Sequence, residues 1–271
     1  MPPTSSESPL ATPLPWDLVS EDYAAETVPT FEHYARRALQ LVAPAPGSRI
    51  VDVACGPGTL TTLAARDGHR VEALDFSPRM VKLLEQQIAA GLANVTVRVG
   101  DGQALPYGDG EFAAGFAMFA LMFFPERARG LRELRRVLAP GARAAISSWL
   151  PMDESPVLSA VFRAVRDAVP QSPGAPQFPL STIDSCRSEM SASFANVEVH
   201  SVSHTTAYPS ARELWQVMAR TMAPIALLRE RVGPARWREL DATIADSTER
   251  SLGRGSVELT ATALITVGTA A

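Results

Sequence analysis

Along the chain, short apolar runs that read as strands alternate with stretches whose apolar positions recur every three to four residues, most regularly between residues 45 and 150. Ile50-Val51-Asp52-Val53, Val71-Glu72-Ala73-Leu74, Val95-Thr96-Val97-Arg98-Val99, Phe112 to Met118 and Ala144 to Trp149 are the strand-like runs. Between them, Leu60, Leu63 and Ala64 mark one helical face, Met80, Leu84 and Ile88 a second, and Leu131, Leu134 and Leu138 a third. Strands separated by helices predict an α/β fold, a doubly wound and mostly parallel sheet with helices on both faces. Pro125-Glu126 is expected to open the third helix and Pro140-Gly141 to close it.

The flanks read differently. Residues 1–15 hold five prolines and few large apolar side chains, a composition that predicts a flexible tail. Residues 16–44 form a helical cap, with Trp16, Val19 and Tyr23, then Phe31, Tyr34, Ala38, Leu41 and Val42, at helix spacing before Pro44-Ala45-Pro46-Gly47 breaks the chain. Beyond the core of residues 45–150, residues 151–195 carry a helical stretch, Val157 to Val169, and then Pro170, Pro173, Pro176 and Pro179, which read as a lid insertion. Residues 196–271 begin with a short alternating strand, Val197 to Val202, and end with another, Val257 to Val267. Between these lies a second helical lid at 211–254, with Leu214, Val217 and Met218 on one face and Trp237, Leu240 and Ile244 on another.

Candidate chemistry concentrates where the first strand ends. Asp52-Val53-Ala54-Cys55-Gly56-Pro57-Gly58-Thr59 turns an apolar strand into a glycine-rich bend and then a helix, a geometry that brings main-chain N–H groups to a ligand. A dinucleotide pyrophosphate is one possible ligand, but the third glycine of G-x-G-x-x-G is absent and Asp52 would repel a phosphate. Asp75 ends the second strand 19 residues after Gly56, the spacing of a ribose-binding carboxylate, and Asp101 follows the third strand. One such acid reads as a cap; three at successive strand ends indicate a nucleoside site.

The octapeptide Val51 to Gly58 resembles the first motif of the class I S-adenosylmethionine-dependent methyltransferases, an acid followed by G-x-G-x-G, with Ala54 in place of the first glycine. The resemblance implies a seven-stranded, Rossmann-like sheet with helical lid insertions, S-adenosylmethionine as cofactor and S-adenosylhomocysteine as product. It implies that Asp52 meets the methionine ammonium, with Ala54, Cys55, Gly56 and Gly58 forming the turn beneath it. It further places Asp75 on the ribose, Phe76 and Met80 beside the adenine, and Asp101 on the adenine amino group, next to Gly102 and Gln103. Ala117 and Met118 would bring carbonyls to the methionine end, and Tyr23 would close from the cap.

The acceptor expected from this resemblance is a small specialised metabolite, methylated on oxygen in a dry pocket lined by Phe119, Met122 and Trp149 from the core and by Trp215 and Met218 from the second lid. No catalytic residue is assigned: the places where small-molecule relatives carry a histidine pair and an acid hold Met122-Phe123 and Ser148, and Ala113 replaces an acid after Phe112. The N/D-P-P-Y/F motif of enzymes that methylate nucleic-acid and glutamine amines is absent. Nitrogen or carbon acceptors remain alternatives, as does a non-methylating protein that keeps the fold and cofactor site as scaffold.

Composition narrows the partners. A formal net charge of −4 offers no general attraction to nucleic acid. The longest apolar stretch, Gly115 to Pro125, is too short to span a bilayer. Cys55 and Cys186 form neither a disulfide framework nor a metal spacing, which suits a reducing cytoplasm and no bound metal. A monomer or homodimer acting on a small molecule, without membrane or nucleic acid, is expected. Of the four histidines, His69 is expected in an exposed turn, and none is singled out as catalytic.

Overall fold

The computed structural model describes residues 8–151, 154–169 and 179–271. Its centre is a seven-stranded sheet. Strands β1 (Arg49–Val53), β2 (Arg70–Asp75), β3 (Val95–Val99), β4 (Phe112–Ala117) and β5 (Leu138–Trp149) run parallel, joined by helices α3 (Thr59–Arg66), α4 (Pro78–Ala89) and α5 (Arg127–Val137). Strand β7 (Val257–Thr269) runs antiparallel between β5 and the edge strand β6 (Ala195–Tyr208), giving the spatial order β3-β2-β1-β4-β5-β7-β6. The order reverses between β1 and β4. A doubly wound sheet opens a crevice at such a switch point, beyond the carboxyl ends of the strands.

Two apolar layers hold the sheet. Ile50, Val71, Phe116 and Ile265 pack on one face beneath α2 (Val28–Val42) and α3. Val51, Leu131, Leu134 and Ile146 pack on the other beneath α5 and α7 (Ile183–Ser191). Helix α1 (Leu14–Glu26) crosses the top of α4, where Asp17 Oδ1 accepts the Ser77 hydroxyl at 2.6 Å. The remaining helices, α6 (Pro156–Ala168), α8 (Ala211–Thr221) and α9 (Ala223–Leu252), build a separate core around Trp215, Leu214, Ile244 and Val161. Helix α9 kinks at Gly233, whose φ of 77° and ψ of 165° are not helical, before Pro234.

Several elements differ from the sequence expectation. Strand β5 starts at Leu138, so Pro140-Gly141 lies inside it. The N–H of Gly141 donates to Ala270 O at 2.7 Å, and this pairing with the end of β7 outweighs the turn propensity. Strand β6 is 14 residues long because it pairs with β7 along nearly its whole length. The inner half of β7, Ala263 to Val267, is buried on both faces between β5 and β6, so alternation there reflects only the outer half. Helix α7 was not legible in the hydrophobic pattern; Thr182 and Ser185 cap it reciprocally, and Cys186 and Met190 bury its face. His69 is only 6% exposed, because Gly68, at φ 87°, turns the chain back so that the His69 N–H reaches Ala64 O at 3.0 Å. The expected tail folds from Ser8 onward as a 3-10 turn, Pro9–Ala11, against Trp16, whose Nε1 donates to Leu10 O at 3.0 Å; residues 1–7 lie outside the described residues. The prolines Pro170, Pro173 and Pro176 also lie outside them.

Register explains what stands over the crevice. Strand β5 ends at Trp149, opposite Ala263. From there β6 and β7 continue as a two-stranded ribbon, Val202–Tyr208 against Val257–Ala263, which rises past the carboxyl ends of the parallel strands.

Candidate cofactor and acceptor site

The turn after β1 is built from backbone conformations that few side chains tolerate. Gly56 has φ 56° and Gly58 has φ 95°, and a Cβ on Gly58 would sit 2.5 Å from Leu84 Cδ1. Ala54 adopts φ 56° as well, so the residue in place of the family's first glycine occupies the left-handed region, at a cost of roughly 1–2 kcal/mol. Asp75 reaches across from β2: its Oδ2 accepts the Gly56 N–H and its Oδ1 the Ser77 N–H, each at 2.8 Å. One carboxylate thereby fixes both the glycine turn and the start of α4.

Asp52 and Asp75 carry the electrostatic character of the site. Asp52 is buried and accepts the Thr61 hydroxyl at 2.6 Å. Among the described residues, neither acid has a Lys, Arg or His partner. Burial first, and then the Asp75 charge, pushes Asp52 up to about 7 against the lowering effect of Thr61. Burial likewise raises Asp75 to about 6, against the two backbone donors that lower it. Burial, followed by these same charges, pushes the Cys55 thiol well up, so Cys55 stays protonated as a small filler. Tyr23 is raised by burial and then by the charge of Asp75, which lines the same cavity.

A cavity of about 290 Å³ opens over this turn. Of the residues expected at the cofactor, the structure brings Tyr23, Asp52, Ala54, Cys55, Gly56, Asp75, Phe76, Met80, Asp101, Gly102, Gln103 and Met118 to its wall. Gly58 and Ala117 are not on it. Gly58 supports the wall from behind by letting Leu84 approach, and Ala117 is the last, buried residue of β4. Asp101 Oδ1 accepts the Gln103 N–H at 2.8 Å, and Gln103 Oε1 accepts the Glu126 N–H at 2.8 Å, which ties the loop after β3 to the start of α5. Sequence reasoning missed Phe31, Phe124 and Ala11 on this wall, and the supporting Thr61 and Asp17; nothing in their spacing distinguishes them from packing residues.

A second cavity, about 670 Å³, adjoins the first and shares with it Trp16, Tyr23, Phe31, Phe119 and Phe123. Phe119 forms the partition. It too adopts a left-handed backbone, φ 52°, with its N–H donated to Ser147 Oγ at 2.8 Å and its ring stacked on Trp149 at 4.1 Å. Of the expected acceptor residues, Phe119, Trp149 and Met218 line the second cavity. Trp215 and Met122 do not. Trp215 is wholly buried in the α6–α8–α9 core, where its Nε1 donates to Asp241 Oδ1 at 2.8 Å, and Met122 packs beneath α2 and α3. The far wall comes from the ribbon, with His204 and Thr206, and from the tips of α6 and α8.

Arranged this way, the site can hold a nucleoside in the first cavity and present its reactive end, past an aromatic partition, to a larger apolar chamber. Two buried acids without a cationic partner suit a positively charged ligand and oppose a pyrophosphate.

Comparison with known proteins agrees with that chemistry. Residues 50–141 match the methyltransferase domain family. A demethylmenaquinone methyltransferase of Corynebacterium kroppenstedtii is 36% identical over 119 residues, 44% of this chain and 49% of that one. The chain therefore spans about half the length of this curated relative. Among solved structures, the [4+2]-cyclase SpnF superposes with a TM-score of 0.59 at 18% identity, covering 94% of each chain. Phosphoethanolamine N-methyltransferase 2 of Haemonchus contortus, solved with S-adenosyl-L-methionine, gives 0.54 at 15% identity over 87% of this chain and 52% of that one. Residues 50–141 are thus similar to the methyltransferase domain family, and the sheet as a whole shares its fold with these solved structures.

Proposed function

We propose that the protein transfers a methyl group from S-adenosylmethionine to a small specialised metabolite, with oxygen as the acceptor atom, in a cytoplasmic setting. The observation that carries this reading is the pair of buried, cation-free carboxylates, Asp52 and Asp75, at the floor of a nucleoside-sized cavity that joins a second chamber. When bound, S-adenosylmethionine supplies an electrophilic methyl group on a sulfonium. Asp52 would face the ammonium side of the ligand and Asp75 the ribose hydroxyls, with Asp101 toward the adenine. Phe119, Phe31 and Tyr23 would exclude water from the junction, and the stacked Phe119–Trp149 pair would orient the acceptor. Transfer forms one bond to the methyl carbon as the carbon–sulfur bond breaks, and the acceptor proton leaves to solvent or a base.

The junction offers Tyr23 as its one titratable side chain among the described lining residues. Its raised hydroxyl is a poor base, which favours catalysis by alignment. Ser148, at the family's acid position, is buried against Cys186 Sγ at 3.4 Å. This absence motivates a second reading, a non-methylating protein that uses the cofactor site as scaffold; SpnF, named a cyclase, has the same fold. The demethylmenaquinone relative shares about half of its length, so its acceptor is not carried over. Incubation with methyl-labelled S-adenosylmethionine and host extract tests the choice. Label in one small molecule supports methyl transfer, and tight cofactor binding with no labelled product supports the scaffold.

A further inference from the structure

The second cavity has a chemical polarity that the first does not explain. Its near wall is aromatic: Phe31 meets Phe119 edge-on at 4.8 Å and Trp149 at 5.6 Å. Its far wall is the inner face of the ribbon. There His204 pairs in register with Ala261 and Thr206 with Leu259, so all four side chains point the same way. The Thr206 hydroxyl lies 3.3 Å from that of Thr30 on α2, and the His204 ring stacks on His33 at 4.7 Å. Tyr34 donates to Ala261 O at 2.9 Å and pins this part of the ribbon to α2. A strip of polar, hydrogen-bonding groups therefore faces the aromatic wall across the chamber.

Among the described residues no Lys or Arg lines the cavity, and residues 1–7, 152–153 and 170–178 contain none in sequence. Glu26 on the wall is engaged from behind by Arg220, whose Nε and Nη2 donate to its two oxygens at 2.8 and 3.1 Å. The charged side chains on the wall are carboxylates, Glu26, Glu154 and Glu258. An anionic group entering this chamber would lose hydration and meet carboxylates and no lysine or arginine, whereas a hydroxyl or amine would find acceptors and donors on the ribbon.

Resting on the methyl-transfer reading above, we infer that the acceptor is a drug-sized, largely apolar ring-bearing molecule without phosphate or carboxylate, whose polar group distal to the methylated atom docks on His204, Thr206 and Thr30. The volume, about 670 Å³, lies within the range of pockets that enclose such ligands, roughly 300–1,000 Å³. His204 and Thr206 are then specificity-determining residues that act far from the methyl group.

The test uses the full chain saturated with S-adenosylhomocysteine and a probe series on one body: 2-propylnaphthalene, 3-(2-naphthyl)propan-1-ol, the corresponding amine, the carboxylic acid and the phosphate ester of the alcohol. Binding is read by quenching of tryptophan fluorescence, since Trp16 and Trp149 line the chamber. The alcohol and amine should bind, with the two anions weaker by about tenfold or more. His204→Ala and Thr206→Val should each weaken the alcohol by roughly three- to tenfold while leaving the hydrocarbon and the homocysteine product unchanged, and His204→Gln should restore much of the loss. Anions that bind as tightly as the alcohol, variants that leave the alcohol untouched, or binding of no member would overturn the inference. Failure of the methyl-transfer reading looks different: methyl-labelled S-adenosylmethionine then labels no small molecule, whether or not the probes bind with the expected preference.

Discussion

If Asp52 and Asp75 exist to receive a cation, cofactor binding must release protons. In the free protein burial holds Asp52 at about 7 and Asp75 at about 6, so near neutral pH both are partly protonated. A sulfonium and an ammonium beside them favour the ionised forms and return both acids toward the ordinary carboxylate range. For Asp52 alone, a return from about 7 to its ordinary value makes affinity fall by roughly 50-fold, ~2 kcal/mol, between pH 7 and pH 5. Asp75 adds to the same slope. The sign for stability is opposite: a carboxylate raised on folding contributes stability below its unfolded pKa, and that contribution is lost as pH rises through about 6 and 7. The free protein should thus lose stability between pH 4 and pH 7 relative to a chain with Asp52→Asn, and S-adenosylmethionine should raise its Tm more at pH 7.5 than at pH 5. Titration calorimetry at pH 5 to 8, repeated in buffers of different ionisation enthalpy, measures both affinity and protons released. S-adenosylhomocysteine, without the sulfonium charge, should bind more weakly and with a shallower pH dependence. A pH-independent affinity with no proton release would refute the electrostatic reading of the site.

Three other outcomes follow from the same geometry. Asp75→Ala should weaken cofactor binding by roughly 2–4 kcal/mol, because charge-assisted hydrogen bonds are lost and the Gly56 turn loses its anchor; calorimetry at pH 7.5 that finds unchanged affinity would make Asp75 a cap only. Ala54→Gly should stabilise the free protein by about 0.5–1 kcal/mol in denaturant unfolding, the relief of left-handed strain exceeding the entropy cost of glycine, with cofactor affinity retained. Hydrogen exchange should find the amides of Leu214–Met218 and Leu240–Ile244 slow in the free protein, since these residues form their own buried core; rapid exchange there would show instead that the helical block opens as a lid.

Much of this organisation was legible because it depends on local chemistry. The parallel core follows from alternating strand and helix patterns, and the acids Asp52, Asp75 and Asp101 each stand where a strand ends, so spacing alone placed them together. What could not be read depends on pairing between distant segments. Nothing in Ala139-Pro140-Gly141-Ala142 signals a strand until the end of β7 is laid beside it. The ribbon that walls the second cavity is polar and threonine-rich, so its hydrophobic alternation fades where it leaves the core, although its backbone pairing continues to Tyr208 and Val257. Trp215 was misplaced for a related reason: an aromatic on an amphipathic helix reveals that it is buried, but not against which partner, and here the partners are Asp241 and Trp237 on α9.

The strained residues show how the two cavities come to be joined. Ala54 and Phe119 are non-glycine residues with left-handed backbones, and they lie just past the ends of β1 and β4, the strands that flank the switch point. Such conformations persist only where the surroundings over-determine them. At Phe119 the surroundings are identifiable: Ser147 on β5 accepts its N–H, Trp149 two residues along stacks on its ring, and Phe31 and Tyr34 meet it edge-on. An extended backbone would carry the chain from β4 directly onward. The left-handed turn instead redirects it into the 3-10 segment Leu121–Phe123 and leaves the ring standing between the chambers. The physical requirement of the proposed reaction, a reactive end exposed to one chamber while water is kept from it, would be met by this ring together with Phe31 and Tyr23, and the ring's position depends on that hydrogen bond. Ser147 therefore belongs to the site as a positioning residue, although it touches neither cavity.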